Sequence, residues 1–286
     1  MLHSALAIAG SDSGGGAGIQ ADLKAFARCG VHGTTAITAI TAQNTVGVEA
    51  IFAVPPETIL AQVRAVARDI RIDTVKVGML GTSETVSAVA QALDELPAAT
   101  PVVVDPVLVA ESGARLLDAD AQRALIEQIL PRADVITPNL PEARALVAGA
   151  EPERATGRRE PVGERDEQDQ EVEELARALL ALGPRAVVIT GGHRRHASDV
   201  LVEADGGAVT QIAGERHAGG ASHGSGCTHS SLLAAHLALG CTTLQAARAA
   251  RALAGEAVRD GLSEVGAGAG PVDALGIARM RPATPS

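Results

Sequence analysis

Residues 222–228 (SHGSGCT) combine glycines and a thiol at the predicted start of a helix. Glycine lets the backbone approach a ligand closely, and the N–H groups of a helix start attract anions. The helix dipole favours the thiolate form of Cys227, which is expected in the first turn. The segment therefore predicts an anion site beside a reactive thiol. Two alternatives stay open: a glycine cap beside a small buried cysteine, and a hydrolase that pairs Cys227 with His223 or His229.

A second glycine-rich stretch, residues 10–18 (GSDSGGGAG), directly follows the first apolar run. A dinucleotide-binding GxGxxG built on Gly14 and Gly16 would require glycine at Ile19, and no Gly-Lys-Ser/Thr follows for a phosphate-binding P-loop. Ligands in open α/β sheets bind beyond the carboxyl ends of the strands. The position therefore favours a turn that encloses a substrate, with a purely structural turn as the alternative.

Oxygen ligands for a hard cation follow two other apolar runs. Asn139 and Glu142 lie three residues apart where a strand passes into a helix, so they can face the same way and hold hydrated Mg²⁺. The same spacing is that of a helix capping box, and the two interpretations are compatible. Asp105 ends the run Val102–Val104 and brings a carboxylate to the same rim, although an aspartate there could equally cap a turn.

The elements that position these residues alternate between short apolar runs and longer amphipathic segments. Strands are predicted at Ala5–Ala9, Thr34–Ile40, Thr74–Val77, Val102–Val104, Val135–Thr137 and Ala186–Thr190, and a hairpin at Val200–Glu203 and Ala208–Ile212. Helices are predicted at Gly18–Arg28, Glu57–Asp69, Ser83–Leu96, Ala119–Ile129, Glu142–Val147, Val172–Leu182, Thr228–Leu239 and Thr243–Val258. This alternation predicts an α/β fold whose mostly parallel sheet is covered on both faces.

Composition excludes several classes of protein. With a net charge of −10 over 286 residues and only two aromatic side chains, Phe26 and Phe52, the chain is unsuited to binding nucleic acid. Its three cysteines are far apart, which argues against a disulfide framework or a zinc site and favours a reducing, cytoplasmic location. No segment has the length and apolar character of a signal peptide or a membrane helix, so no membrane partner is expected.

One segment interrupts the pattern. Residues 150–170 (AEPERATGRREPVGERDEQDQ) are highly charged and poor in apolar side chains, which predicts an exposed, mobile insertion. A domain linker is the alternative. Because the alternation of strands and helices resumes unchanged beyond the segment, we expect a single domain over residues 1–286.

Seven segments together resemble one known family. They are AGSDSGGGAGIQADLKAF (9–26), TAITAQNT (38–45), KVGML (76–80), DPVLVAESG (105–113), TPNLPEA (137–143), TGGH (190–193) and HGSGCT (223–228). In this order they resemble the hydroxymethylpyrimidine/phosphomethylpyrimidine kinases of the ribokinase superfamily. The resemblance implies a ribokinase-like three-layer sandwich, a homodimer, and Mg²⁺- and ATP-dependent phosphorylation of 4-amino-5-hydroxymethyl-2-methylpyrimidine and of its monophosphate. A pyridoxal kinase on the same scaffold and a non-catalytic sensor of pyrimidine phosphates are the alternatives.

The resemblance also implies roles for individual residues of the substrate pocket. Gln43 should hydrogen-bond the pyrimidine edge, and Asp22 should lie near the hydroxymethyl group. Met79 and Val107 should line the ring pocket, in a chain with almost no aromatic residues to stack on the substrate.

The remaining roles concern phosphoryl transfer. Gly224, Ser225 and Gly226 should form an anion hole, and Cys227 occupies the position at which related sugar kinases have an aspartate base. The resemblance assigns Asp105 and Glu142 to Mg²⁺, and Asn139, Thr190 and Gly192 to the nucleotide. Many family members have lysine in place of Thr190, so this chain lacks one positive charge beside the phosphates.

Overall fold

The computed structural model describes residues 2–109, 116–150, 166–193, 197–217 and 221–280. Nine strands in these ranges form one sheet with the order β3-β2-β1-β4-β5-β6-β7-β8-β9. They are β1 Ser4–Asp12, β2 His32–Gln43, β3 Val48–Ala53, β4 Thr74–Val77, β5 Val102–Val104, β6 Val135–Ile136, β7 Ala186–Ile189, β8 Asp199–Glu203 and β9 Val209–Ile212. The strands β2, β1, β4, β5, β6 and β7 are parallel, while β3, β8 and β9 pair antiparallel to their neighbours.

Helices cover both faces of the sheet. They are α1 Gly18–Arg28, α2 Pro56–Asp69, α3 Ser83–Asp94, α4 Ala119–Ala124, α5 Leu140–Ala150, α6 Asp166–Leu180, α7 Ser225–Ala238, α8 Thr243–Arg259 and α9 Ile277–Met280. A π-helical turn, Leu125–Ile129, continues α4. In the described part of the chain, no helix has both the length and the apolar character needed to cross a membrane.

The two faces of the sheet bury different side chains because successive strand residues point in opposite directions. Leu6 and Ile8 of β1 pack into the cluster formed with α2, α3, α4, α5 and α6. Ala5 and Ala7 of the same strand face the cluster formed with α1, α7 and α8. The ribokinase-like three-layer α/β sandwich with a mostly parallel sheet is therefore confirmed.

The sheet brings the predicted site segments to one edge. Strand β1 lies between β2 and β4, so β2 and β3 follow it on one side, whereas β4 and all later strands lie on its other side. The strand order therefore reverses at the carboxyl end of β1. Such a reversal opens a crevice where ligands bind in open α/β sheets. The segments that follow β1, β4, β5, β6 and β7 leave the sheet at this edge.

Two sequence expectations need correction. Strand β3 was not predicted, because its residues are mostly exposed and give no buried face to produce an alternating pattern. The bounds predicted for the charged insertion, 150–170, overlap two helices, since α5 ends at Ala150 and α6 begins at Asp166. Residues 151–165 lie outside the described residues.

Candidate active site

A cavity of about 380 Å³ opens at the carboxyl edge of the sheet. It is lined by every predicted site residue except Asp22: Gln43, Met79, Asp105, Val107, Asn139, Glu142, Thr190, Gly192, Gly224, Ser225, Gly226 and Cys227. These residues come from six different segments of the chain. The fold thus brings the predicted substrate, metal, nucleotide and anion residues around one space.

Asp22, which is expected near the hydroxymethyl group of the substrate, does not line this cavity. It lies on the buried face of α1, fully enclosed, and its Oδ1 atom accepts hydrogen bonds from Lys76 Nζ at 2.9 Å and from the Ser231 hydroxyl at 2.6 Å. Helix α1 packs this face toward α7 and the sheet, which places the carboxylate behind the cavity wall. Asp22 therefore forms a buried ion pair with Lys76.

Lys76 is a site residue that sequence reasoning missed. It lies at the centre of β4, between Ala7 of β1 and Val103 of β5, and its fully buried side chain reaches the cavity. Burial opposes its charged form, but the neighbouring carboxylates outweigh this effect and raise the pKa of Lys76, so the ammonium persists. The signal was present as a single charged residue within an otherwise buried strand.

The same ammonium lies beside Asp105. Its Nζ atom is 3.6 Å from Asp105 Oδ2, which also accepts a hydrogen bond from the Ser230 hydroxyl at 3.2 Å. The Lys76 ammonium therefore lies between two carboxylates: that of Asp22, which is behind the cavity wall, and that of Asp105, which lines the cavity.

The Asp12 carboxylate organises the first glycine-rich loop and connects it to the second. It accepts hydrogen bonds from His223 Nε2 at 2.9 Å and from three loop N–H groups, those of Gly14 (2.8 Å), Gly16 (3.0 Å) and Ala17 (2.8 Å). Burial acts to raise the pKa of Asp12, but these hydrogen bonds, led by that of His223, lower it below its usual value. Asp12 is thus held as a carboxylate. The Asp12–His223 pair was not predicted.

The two loops are in van der Waals contact. Gly224 adopts a left-handed conformation with φ of 80°, and a Cβ atom there would lie 1.8 Å from the carbonyl oxygen of Gly16. Only glycine fits this approach and this backbone conformation. The close contact sets the start of α7 directly against the loop that follows β1.

Cys227 lies in the first turn of α7 and lines the cavity. Burial raises the pKa of the thiol to about 12, while the Lys76 ammonium acts in the opposite direction and the charge of Asp105 adds to the increase. The raised pKa contradicts the expectation that the helix start favours a thiolate at Cys227. Desolvation and nearby carboxylates outweigh the helix dipole.

The two histidines near Cys227 have other partners. His223 bonds Asp12, and His229 Nε2 lies 2.9 Å from Asp199 Oδ2. Within the described residues neither imidazole hydrogen-bonds the thiol. The arrangement gives no support to the cysteine–histidine hydrolase alternative, which requires the base to contact the nucleophile.

Asn139 and Glu142 form a reciprocal capping box at the start of α5. The Asn139 side-chain oxygen accepts a hydrogen bond from the Glu142 N–H at 2.9 Å, and Glu142 Oε2 accepts one from the Asn139 N–H at 2.9 Å. Burial, together with the charge of Asp105, raises the pKa of Glu142 to about 8. The structural interpretation of this motif is confirmed.

The carboxyl groups of Asp105 and Glu142 also fit a hard cation. Their proximity disfavours two negative charges at once, a repulsion that a divalent cation would relieve. In the described ranges, no group of three or more His, Cys, Asp or Glu side chains could hold a metal by itself. Mg²⁺ commonly binds through one or two carboxylates together with substrate phosphates and water. The site therefore fits a cation that arrives with a nucleotide.

Comparisons with known proteins agree with this geometry. The family model for phosphomethylpyrimidine kinase matches residues 12–273. A hydroxymethylpyrimidine/phosphomethylpyrimidine kinase from Haemophilus influenzae is 42% identical over 284 residues, which cover 98% of this chain and 99% of that protein.

Two solved structures share the fold. The phosphomethylpyrimidine kinase of Clostridium difficile 630 has a TM-score of 0.71 at 35% identity and covers 87% of this chain and 96% of its own. The pyridoxal kinase of Staphylococcus aureus, solved with pyridoxal, has a TM-score of 0.81 at 29% identity, covering 98% of this chain and 96% of its own. The latter has also been solved with ADP and with AMP-PCP and pyridoxal together.

A ribokinase-like sheet with a glycine-rich loop lining the cavity at its carboxyl edge is shared with small-molecule kinases. The chain belongs to the phosphomethylpyrimidine kinase family.

Proposed function

We propose that this chain transfers the γ-phosphoryl group of ATP to 4-amino-5-hydroxymethyl-2-methylpyrimidine and then to the resulting monophosphate. The observation that carries the proposal is that Gln43, Met79 and the loop 224–227 all line one cavity. Similarity to a named hydroxymethylpyrimidine/phosphomethylpyrimidine kinase over nearly the full chain supports the same substrates.

The substrate end combines a polar side chain with an apolar wall. The Gln43 backbone is fixed to the first loop by two hydrogen bonds with the Ser13 hydroxyl, at 2.7 and 2.8 Å. Its side-chain amide reaches the cavity, where it could pair with ring nitrogens or an amino group of a pyrimidine. Met79 and Val107 supply flat apolar contact without aromatic stacking. These features suit a small, polar-edged heteroaromatic ring.

Phosphoryl transfer requires positioning and charge stabilisation more than covalent chemistry. In the first transfer the substrate hydroxyl oxygen, and in the second an oxygen of the monophosphate, forms a bond to the γ-phosphorus. The bond from that phosphorus to the β,γ-bridging oxygen breaks, and ADP leaves. The backbone N–H groups of Gly224, Ser225 and Gly226 would stabilise the transferring group. Mg²⁺, held by Asp105 and Glu142, would neutralise phosphate charge when bound.

Cys227 is the proposed acceptor of the hydroxyl proton. In its thiolate form the sulfur takes this proton as the oxygen–phosphorus bond forms. The Lys76 ammonium favours that form, whereas burial opposes it. Asn139, Thr190 and Gly192 also line the cavity and are proposed to face the nucleotide.

Pyridoxal kinase activity is a second candidate. The S. aureus pyridoxal kinase superposes over more of this chain, and with a higher TM-score, than the C. difficile phosphomethylpyrimidine kinase. A coupled ADP-release assay with hydroxymethylpyrimidine, its monophosphate and pyridoxal separates the candidates. We expect the highest kcat/KM for the two pyrimidines, whereas a preference for pyridoxal would support the second candidate. Pyrimidine binding without ADP release would indicate a sensor.

We further propose that the chain is a homodimer that buries the exposed face of β2 and β3. Ile40 and Phe52 lie directly opposite each other on these strands, with 51% and 64% of their surface exposed. Strand β3 is also an edge of the sheet, where a second copy could cover both side chains. Sedimentation should give a dimer for the wild type and a monomer for Phe52→Lys. A monomeric wild type would contradict the proposal.

A cytoplasmic location is proposed from cysteine usage. All three cysteines are free thiols, which suits a reducing compartment. Fractionation of cells that express the chain would test this location.

A further inference from the structure

Asp199 is a fully buried carboxylate at the start of β8 that contacts three separate parts of the fold. Its Oδ2 atom lies 2.9 Å from His229 Nε2 of α7, and its Oδ1 atom accepts a hydrogen bond from the Gly191 N–H at 2.8 Å. Arg251 Nε of α8 lies 3.8 Å from the same Oδ1 atom. One side chain thus joins α7, α8 and the turn that follows β7.

The turn held by Asp199 forms part of the cavity wall. Thr190 and Gly192, on either side of Gly191, both line the cavity, as do His229 and Arg251. A Cβ atom at Gly191 would lie 2.5 Å from the carbonyl oxygen of Ser198, so the turn is pressed against the start of β8. The position of the turn therefore depends on the segment that carries Asp199.

His229 connects this anchor to the anion loop. It lies four residues after Ser225 on α7, so the two residues share one face of the helix. Burial acts to raise the pKa of Asp199, but the adjacent His229, with help from Arg251, lowers it below its usual value. The anchor is therefore held as a carboxylate between His229 and Arg251.

Two polar atoms of these partners are left without a hydrogen bond. His229 Nδ1 and Arg251 Nε are both buried and find no hydrogen-bond acceptor or donor within the described residues. Buried polar groups without partners are costly, so their retention beside a cavity indicates more than a packing role.

We infer that Asp199 is a positioning residue for the nucleotide. It fixes the turn 190–192 through Gly191 and the start of α7 through His229. The inference rests on the proposed function, in which this end of the cavity receives ATP. Because Asp199 and His229 act on the nucleotide end, their loss should affect nucleotide affinity selectively. Pyrimidine binding depends on Gln43 and Met79, which lie on other segments.

The test compares His229→Leu with His229→Gln, whose amide can still donate a hydrogen bond to Asp199. His236→Leu is the control, because His236 lies on the same helix, bonds the Leu232 carbonyl and does not line the cavity. Loss of a hydrogen bond to a charged group predicts that His229→Leu raises KM for ATP by about tenfold or more. We expect KM for the pyrimidine and kcat at saturating ATP to stay close to wild-type values. The glutamine variant should recover most of the ATP affinity, and the control should match the wild type.

Direct titration with ADP separates the possible failures. We expect the dissociation constant for ADP to rise in parallel with KM for ATP in His229→Leu. An unchanged ADP affinity, or equal increases in both KM values, would overturn the inference and indicate a purely structural pair. If His229→Leu does not fold, Asp199→Asn replaces it, and an unchanged ADP affinity in that variant overturns the inference equally. A wild type that binds ADP but phosphorylates no pyrimidine would instead contradict the proposed function.

Discussion

Lys76 Nζ lies 2.9 Å from Asp22 Oδ1, and neither side chain has any exposed surface. An ammonium with no counter-charge in such a place would be strongly destabilising. Asp22 therefore stabilises a cation that reaches the floor of the active-site cavity, although it does not touch the cavity itself.

Removing this counter-charge should destabilise the whole fold. We expect Asp22→Ala to lower the free energy of unfolding by about 3–5 kcal/mol, because it removes the nearer of the two carboxylates beside a buried ammonium and leaves only Asp105, at 3.6 Å, as counter-charge. Denaturant unfolding measures the change. Glu95→Gln, which removes an exposed ion pair with Arg64, is the matched control and should have little effect. If Asp22→Ala raised KM for the pyrimidine without loss of stability, Asp22 would be a substrate contact after all.

Gln43→Leu should weaken pyrimidine binding selectively. Removal of a hydrogen-bonding partner leaves the polar edge of the ring unsatisfied, which costs about 1–3 kcal/mol. KM for the pyrimidine should rise accordingly, while KM for ATP stays near the wild-type value. Gln91→Leu, a change at an exposed glutamine of α3, is the control. Unchanged affinity for the pyrimidine would remove Gln43 from the substrate site.

The Asp12 carboxylate should make stability depend on pH in the acid range. Its pKa in the folded protein lies below the ordinary value of 3.8, so its stabilising contribution is present above that value and is lost as the pH falls through the folded pKa. We therefore expect the difference in unfolding free energy between wild type and Asp12→Asn to be largest near neutral pH. It should shrink as the pH decreases below 3.8. Unfolding curves of both proteins over this range provide the measurement, and a difference that grows on acidification would contradict the assignment.

Cys227 should affect turnover more than binding. General base catalysis typically contributes about 10²–10⁴-fold, so Cys227→Ala should lower kcat by a factor in that range. Because the proposed pyrimidine contacts are Gln43 and Met79, pyrimidine affinity should change little. Cys227→Asp is expected to recover part of the activity, since a carboxylate can accept the same proton. Wild-type kcat in Cys227→Ala would show that the anion loop alone carries the chemistry.

Sequence patterns predicted the parts of the fold that depend on local periodicity. Helix α1 has the predicted bounds, Gly18–Arg28, because its apolar residues recur on one helical face. Strand β3 gave no such signal because its side chains are mostly exposed. Local sequence patterns could not predict the long-range pairs. Asp12 and His223 are 211 residues apart, and Lys76 and Asp22 are 54 residues apart.

The candidate site, like the fold, could be predicted from the sequence only in part. Motifs ending parallel strands predicted the cavity residues well, because the topology gathers all those ends at one edge. The pKa of Cys227 could not be predicted, since it depends on burial and on the charges of Lys76 and Asp105, which come from two neighbouring strands. The positions of most candidate site residues could thus be predicted from the sequence. The charges and burial that set their pKa values could be found only from the assembled structure.

The most direct test of the central claim is product analysis by mass spectrometry after incubation of the purified chain with ATP, Mg²⁺ and hydroxymethylpyrimidine. We expect the pyrimidine monophosphate to appear first and the diphosphate to follow, with one ADP released for each phosphoryl group transferred. ATP that remains intact beside unmodified pyrimidine, in a folded protein, would contradict the assignment of this chain as a pyrimidine kinase.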